Sequence, residues 1–166
     1  LGLLECDKGS IKINKININN FISKWQSSIG YVSQNIFLLD ASIKENIAFG
    51  INSEKVDNEH LNNVIKSVHL DEFVKSLKDG VDTKIGEKGS WISGGQVQRI
   101  AIARELYRNP STLILDEATT GLDETTEEQI LRRIIELKNK ITIIIVSHNK
   151  NTLKFCDQII SLNQNV

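Results

Sequence analysis

The run Thr112-Leu113-Ile114-Leu115-Asp116-Glu117 constrains the fold more than any other stretch of the chain. A short apolar segment that ends on two adjacent carboxylates reads as a buried strand delivering charge to a sheet edge. It follows Trp91-Ile92-Ser93-Gly94-Gly95-Gln96-Val97-Gln98-Arg99, a glycine pair at the start of a helix. Glycine costs ~1 kcal/mol in a helix interior, so a consecutive pair needs a reason. Helix starts point unsatisfied N–H groups outward and attract negative charge. Hard divalent cations are held by carboxylate oxygens. A phosphate-rich ligand with its metal uses both halves.

The rest of the pattern alternates strand and helix signals. Lys8-Gly9-Ser10 is a turn signal, and Ile11, Ile13, Ile16 and Ile18 begin as a short alternating strand. Ile29 to Gln34 reads as a strand ending on a polar residue. Ser42 to Ala48 reads as a short helix with Ser42 as cap and Glu45 three residues on. Val56, Leu61, Val64, Ile65, Val68, Leu70, Phe73 and Leu77 place helix over 53–78, until Asp79-Gly80 breaks it. A polar loop passes Gly86 and Gly89. Ser93 then caps a helix to about Arg108, which Asn109-Pro110 ends because the residue before proline disfavours helix. Asp123 caps a further helix with Glu124, Glu127 and Glu128 early and Lys138 late, as the helix dipole favours. Ile141 to Val146 is apolar throughout, as in a strand covered on both faces. A short helix from about Asn151 and a strand around Ile159 to Leu162 complete the pattern.

Strands alternating with helices imply parallel pairing and right-handed crossovers. The expected fold is α/β: a parallel sheet core over 1–52 and 109–166, with an all-helical subdomain inserted over 53–108. The chain has 166 residues, enough for one ordinary domain. At 40% hydrophobic and 25% charged it can build a core. A net charge of −1 gives no electrostatic reason to expect nucleic acid as a partner. Its apolar runs are far shorter than the ~20 residues of a spanning helix. Cys6 and Cys156 have no metal-type spacing and read as ordinary thiols. The chain contains no methionine and opens in mid-pattern, so the expectation is a piece of a longer protein lacking the N-terminal part of its domain.

Chemistry collects at element ends. Ligands of open α/β sheets bind at the carboxyl ends of strands. Asp116 there could hold Mg²⁺, and Glu117 could polarise an attacking water. His148 closes the next apolar strand and Gln34 an earlier one, so both could reach the same edge. An imidazole at that edge can contact a terminal phosphate. Ser93, Gly94, Gly95 and Gln96 supply the helix start; seen alone, Ser93-x-x-Gln96 is equally a plain capping box.

Together these features resemble the nucleotide-binding domain of an ABC transporter. Ile92 to Gln96 resembles the LSGGQ signature with Ile for Leu, and Leu113 to Glu117 matches the end of Walker B. Thr120-Gly121-Leu122-Asp123 resembles the D-loop, His148 the switch histidine, and Gln34 in Tyr31-Val32-Ser33-Gln34 the Q-loop glutamine, with Ser33 where proline is usual. The resemblance implies a P-loop NTPase-like core. It also implies ATP and Mg²⁺ as ligands, with Glu117 and His148 as catalytic residues and Asp116 and Gln34 as metal ligands. Gln34, Ser93, Gly94, Gly95, Gln96 and Asp123 become nucleotide contacts.

Two further stretches point to the exporter branch. These are Ala41 to Gly50, similar to Thr-Ile-Arg-Glu-Asn-Ile, and Thr83 to Gly89, similar to the X-loop with Glu87 as a coupling residue. Implied partners are a second nucleotide-binding domain, arranged head to tail, and a transmembrane domain. The implied location is the cytoplasmic face of a membrane, the inner membrane of a bacterium. The wording of Gln34 to Asp40 resembles exporters of lipid or lipid-linked glycan. The phosphate loop Gly-x-x-x-x-Gly-Lys-[Ser/Thr] does not occur in the sequence, so the chain alone is expected to bind ATP weakly or not at all. A non-transport ABC ATPase and a non-functional gene fragment stand as alternative readings. The compact stretch between Gln34 and Ser93, without sustained heptads, speaks against the coiled-coil chromosome proteins.

Overall fold

The computed structural model describes all residues except Glu5, Glu87, Lys88, Thr120, Gly121, 137–139 and 162–166. Three parallel strands, β3 (Ile29–Val32), β4 (Thr112–Asp116) and β5 (Thr142–Val146), form a sheet in the order β3-β4-β5. Val32 pairs with Leu115, and Leu115 with Ile145, so the carboxyl ends of all three strands lie at one edge. Parallel neighbours need long crossovers, and helices supply them. The expected α/β class with a parallel sheet is present.

Ahead of the sheet lies a hairpin rather than the single expected strand. β1 (Lys12–Ile13) and β2 (Ile16–Asn17) pair antiparallel across Asn14 and Lys15. Both turn residues have positive φ, 48° and 68°, the backbone a two-residue hairpin turn demands. α1 (Ile22–Ser27) leads into β3.

Between β3 and β4 the chain is helical: α2 (Ile43–Ile47), α3 (Asn58–Ser67), α4 (Asp71–Ser76) and α5 (Gly94–Tyr107). The expected continuous helix over 53–78 is interrupted at His69, which adopts φ 54°. Its N–H bonds Lys66 O and that of Leu70 bonds Ile65 O, a left-handed helix stop with the buried Leu70 as its apolar anchor. α2 and α3 both pack on α5, joining Ile43, Ile47, Leu61, Ile65 and Leu70 to Ile100 and Ile102, each at most 2% exposed. Arg104 of α5 donates to Asn46 O and Phe37 O, which ties the segment after β3 to the long helix. α5 in turn lies close against β3. A Cβ on Gly30 would meet Glu105 Cβ and Leu113 Cδ1 at 3.1 Å.

α6 (Glu124–Ile135) follows β4 and buries Ile130, Leu131 and Ile134. α7 (Lys150–Leu153) follows β5. Lys138, expected late in α6, lies outside the described residues; Arg132 and Arg133 provide positive charge in its last turn. β5 departs from the expectation of cover on both faces. Ile143 and Ile145 pack on the core, whereas Ile144 and Val146 are 45% and 47% exposed. The described residues cover one face of this edge strand, which an unbroken apolar run cannot reveal. Residues 159–161 form no strand, and Ile159 and Ile160 are exposed; Leu162 is not described. Among the described residues no helix is long and apolar enough to cross a membrane.

Candidate functional site

The parallel register brings Gln34, Asp116, Glu117 and His148 to one sheet edge. Gln34 lies two residues beyond β3, Asp116 ends β4, and His148 lies two residues beyond β5. The Gln34 amide donates to Glu117 Oε2 at 2.6 Å, and His148 Nε2 lies 3.0 Å from Glu117 Oε1. Each oxygen of the carboxylate therefore has a partner from a different strand end. The Glu117 side chain is 19% exposed and that of His148 93%. The imidazole thus reaches across open space to a largely shielded acid.

Glu117 also sits in a left-handed backbone conformation, φ 51°. That costs a non-glycine residue about 1–3 kcal/mol and persists only where the surroundings impose it. Its N–H donates to Val146 O, which holds the reversal against the end of β5. Strain of this kind clusters at sites that must present a side chain in one direction.

Asp116 is held separately. Tyr31 Oη donates to Asp116 Oδ2 at 2.8 Å. That hydrogen bond, burial and the charge of the carboxylate all raise the phenol above its ordinary 10.0. Sequence reasoning missed this pair, although the parity of β3 against β4 puts Tyr31 and Asp116 on one face. Among the described residues no group of three acids, histidines or cysteines could cage a metal. Asp116 and Gln34 instead offer isolated hard oxygens. That set fits Mg²⁺, which keeps waters and leans on one or two carboxylates plus substrate phosphates.

Ser93 to Gln96 form a separate group. Ser93 Oγ accepts from Gln96 N at 3.2 Å, and Gln96 Oε1 accepts from Ser93 N at 2.8 Å. Ser93 and Gly94 are exposed, and Gly95 and Gln96 half-buried. The described hydrogen bonds of this helix start stay within α5, where Gly95 O accepts from Arg99, and none of its four residues lines the cavity beside Glu117. The cavity beside Glu117, of about 560 Å³, is walled by Thr119, Leu122, Ser147, His148 and Asn149 among others. Asp123 caps α6 by accepting from Thr126 N at 3.0 Å. The Thr126 hydrogen bonds, with Arg99 nearby, hold its carboxyl below the ordinary range. Thr120, Gly121 and Glu87 lie outside the described residues.

In the sequence Glu127 is only an acid near a helix start. It is 7% exposed and accepts hydrogen bonds from Thr119, Asn149 and Thr152. Its partners come from separate segments, so no local signal could have found it.

Residues 1–120 match the family profile described as ABC transporter. The chain is 40% identical over 162 residues to the uncharacterised ABC transporter ATP-binding protein YwjA of Bacillus subtilis, covering 97% of this chain and 28% of that protein. It is 43% identical to the ATP-dependent permease MDL1 of Candida albicans, covering 95% of this chain and 23% of the relative. The ATP-dependent lipid A-core flippase 2 of Colwellia psychrerythraea is 37% identical, with 99% and 28% covered. The chain thus spans under a third of the length of these relatives. A solved structure of a bacterial Atm1-family ABC exporter with ATP bound superposes with a TM-score of 0.81 at 32% identity, covering 89% of this chain and 26% of that one. The core is therefore P-loop NTPase-like.

Proposed function

This chain belongs to the ABC transporter family, and we propose that within a longer protein it hydrolyses ATP to drive export across a membrane. The observation that carries this reading is Glu117: a strained, shielded carboxylate at a strand end, with Gln34 and His148 each on one of its oxygens.

In this reading Glu117 takes the proton of a water as the water's oxygen attacks the γ-phosphorus of ATP. The bond from that phosphorus to the bridging oxygen breaks, and ADP leaves. Phosphoryl transfer of this kind needs positioning and charge neutralisation more than covalent chemistry. His148 and Gln34 fix the orientation of the Glu117 carboxylate. Asp116, with Gln34, would hold Mg²⁺, which supplies charge neutralisation at the phosphates. The group Ser93, Gly94, Gly95 and Gln96 does not line the cavity beside Glu117, which supports a head-to-tail pair of domains. Each domain's α5 start and Asp123 would then serve ATP held by the other.

The division into core (1–52 and 109–166) and helical subdomain (53–108) belongs to the same proposal. So do a transmembrane partner domain and a place on the cytoplasmic face of a membrane, the inner membrane of a bacterium. For cargo we propose lipid or lipid-linked glycan, supported by the resemblance over Gln34 to Asp40 and by the flippase relative.

The test is Glu117→Gln in the full-length protein. Hydrolysis should fall by about 100-fold or more, the scale of losing a general base, while ATP-driven association of the two domains persists. Unchanged turnover would remove Glu117 from the base role.

A further inference from the structure

We infer that Glu127 is a positioning residue: it clamps the loop that carries His148 to the segment that follows Glu117, and so fixes the distance between them. The inference rests on the hydrolytic reading of Glu117 and His148.

Three neutral donors converge on this buried carboxylate. Oε1 accepts from Thr119 Oγ1 and Thr152 Oγ1, both at 2.8 Å, and Oε2 accepts from Asn149 Nδ2 at 2.9 Å. Thr119 is two residues past Glu117 and Asn149 is next to His148. One side chain on α6 therefore joins the chain after β4 to the chain after β5. A second rung lies beside it, where Asn151 Nδ2 donates to Glu124 Oε1 at 2.6 Å. Among the described residues this buried acid is held by neutral donors alone, an arrangement that is costly to place.

The arrangement explains how an exposed imidazole keeps its place. The His148 side chain is 93% exposed and has little packing to hold it. Its loop is instead tied at the adjacent residue. Asn149 N donates to Ser147 Oγ, Asn149 Oδ1 caps α7 by accepting from Asn151 N, and Asn149 Nδ2 bonds Glu127. Both ends of the Asn149 amide are thus engaged, one on α7 and one on Glu127, although the residue itself is exposed.

The polarity of the Asn149–Glu127 bond makes the inference testable. In the full-length protein, Asn149→Asp preserves the cap on α7 but sets two carboxylates against each other. Turnover should drop about 10- to 100-fold, as expected for a displaced catalytic group, with the KM for ATP little changed. Adding Glu127→Gln restores the bond with donor and acceptor exchanged, and the introduced amide oxygen still accepts from both threonine hydroxyls. The double variant should regain most of the lost turnover. Thr152→Val breaks a bond to the same acid from within α7 rather than beside His148, so its turnover loss should be clearly smaller than that of Asn149→Asp.

Hydrogen exchange of the 147–152 amides reads the clamp without ATP. Asn149→Asp should speed it about tenfold, and the double variant should reverse that, as for one lost and regained buried bond. A wild-type protein without ATP turnover would overturn the hydrolytic reading but leave the exchange result standing. Exchange unaffected by Asn149→Asp, no rescue in the double variant, or an equal turnover loss in Thr152→Val would each overturn the clamp.

Discussion

α2 and α5 begin with the same device and put it to different uses. Ser42-x-x-Glu45 and Ser93-x-x-Gln96 both close a reciprocal box in which serine and the third helical residue satisfy each other's backbone N–H. In α2 the box is charged, and its serine is covered although Glu45 is exposed. Ser42 is 6% exposed, Ile43 N donates to Thr83 O, and Ile85 N donates to Ala41 O, so the 83–85 segment lies against the helix start through a single bridge at Lys84. The Glu45 carboxylate fills the positive end of the helix. In α5 the box is neutral and open. Ser93 and Gly94 are exposed, and a Cβ on Gly94 would meet nothing within 4 Å. A neutral glutamine satisfies the cap while leaving the helix end free for an outside anion. What differs is therefore what each cap leaves undone: α2 is sealed, and α5 keeps an unspent positive end on the surface.

The sharpest way to break this comparison is to make α5 resemble α2. Gln96→Glu keeps the box and suits a helix start, so exchange protection at the beginning of α5 should hold or rise. A carboxylate ~4 Å from a phosphate charge costs about 4 kcal/mol at an effective dielectric of 20. ATP-driven association and turnover in the full-length protein should therefore fall at least about 100-fold. Wild-type turnover would mean that the α5 start faces no phosphate. A paired removal of the caps comes next in size. Ser42→Ala and Ser93→Ala should each lower exchange protection of their own helix about fivefold, the usual ~1 kcal/mol of an N-cap. Only Ser93→Ala should also lower turnover. Equal effects on turnover would erase the distinction between a sealed and an open helix start.

The caps were legible because they are local. Ser42, Ser93 and Asp123 each sit three residues from the N–H they satisfy, and sequence places all three at their helix starts. β4 was legible for the same reason, as an apolar run bounded by Pro110 and two acids. The convergence of Gln34, Asp116, Glu117 and His148 could be anticipated because parallel strands put their ends on one edge. What failed to show was either backbone-specific or long-range. Asn14-Lys15 and His69 take positive φ without glycine, so the hairpin and the helix stop left no strong mark. The exposure of Ile144 depends on what packs over it rather than on its own strand. Glu127 drew its role from residues 8, 22 and 25 positions away, and Tyr31 met Asp116 across 85 positions.

The smallest expected effect is a titration that only one of the two boxes can show. Backbone and hydroxyl hydrogen bonds from Ser42, helped by Lys84 and Lys44, hold the Glu45 carboxyl below its ordinary 4.5. A folded value below the unfolded one means that the ionised carboxylate stabilises the folded chain. That contribution is full above the unfolded value near 4.5 and fades as pH falls through the lowered folded value. The α5 box contains no ionisable group. Glu45→Gln should therefore lower exchange protection of α2 relative to wild type at neutral pH, and the gap should close as pH falls through the lowered folded value. The start of α5 should show no such convergence under the same comparison. Asp123 is also held below its ordinary value, by Thr126, so the ratio of variant to wild type at each pH, rather than the wild-type curve alone, isolates Glu45. A gap that stays constant down to pH 3 would show that the α2 box works through its hydrogen bonds alone. The contrast between a charged, sealed helix start and a neutral, open one would then rest on burial rather than charge.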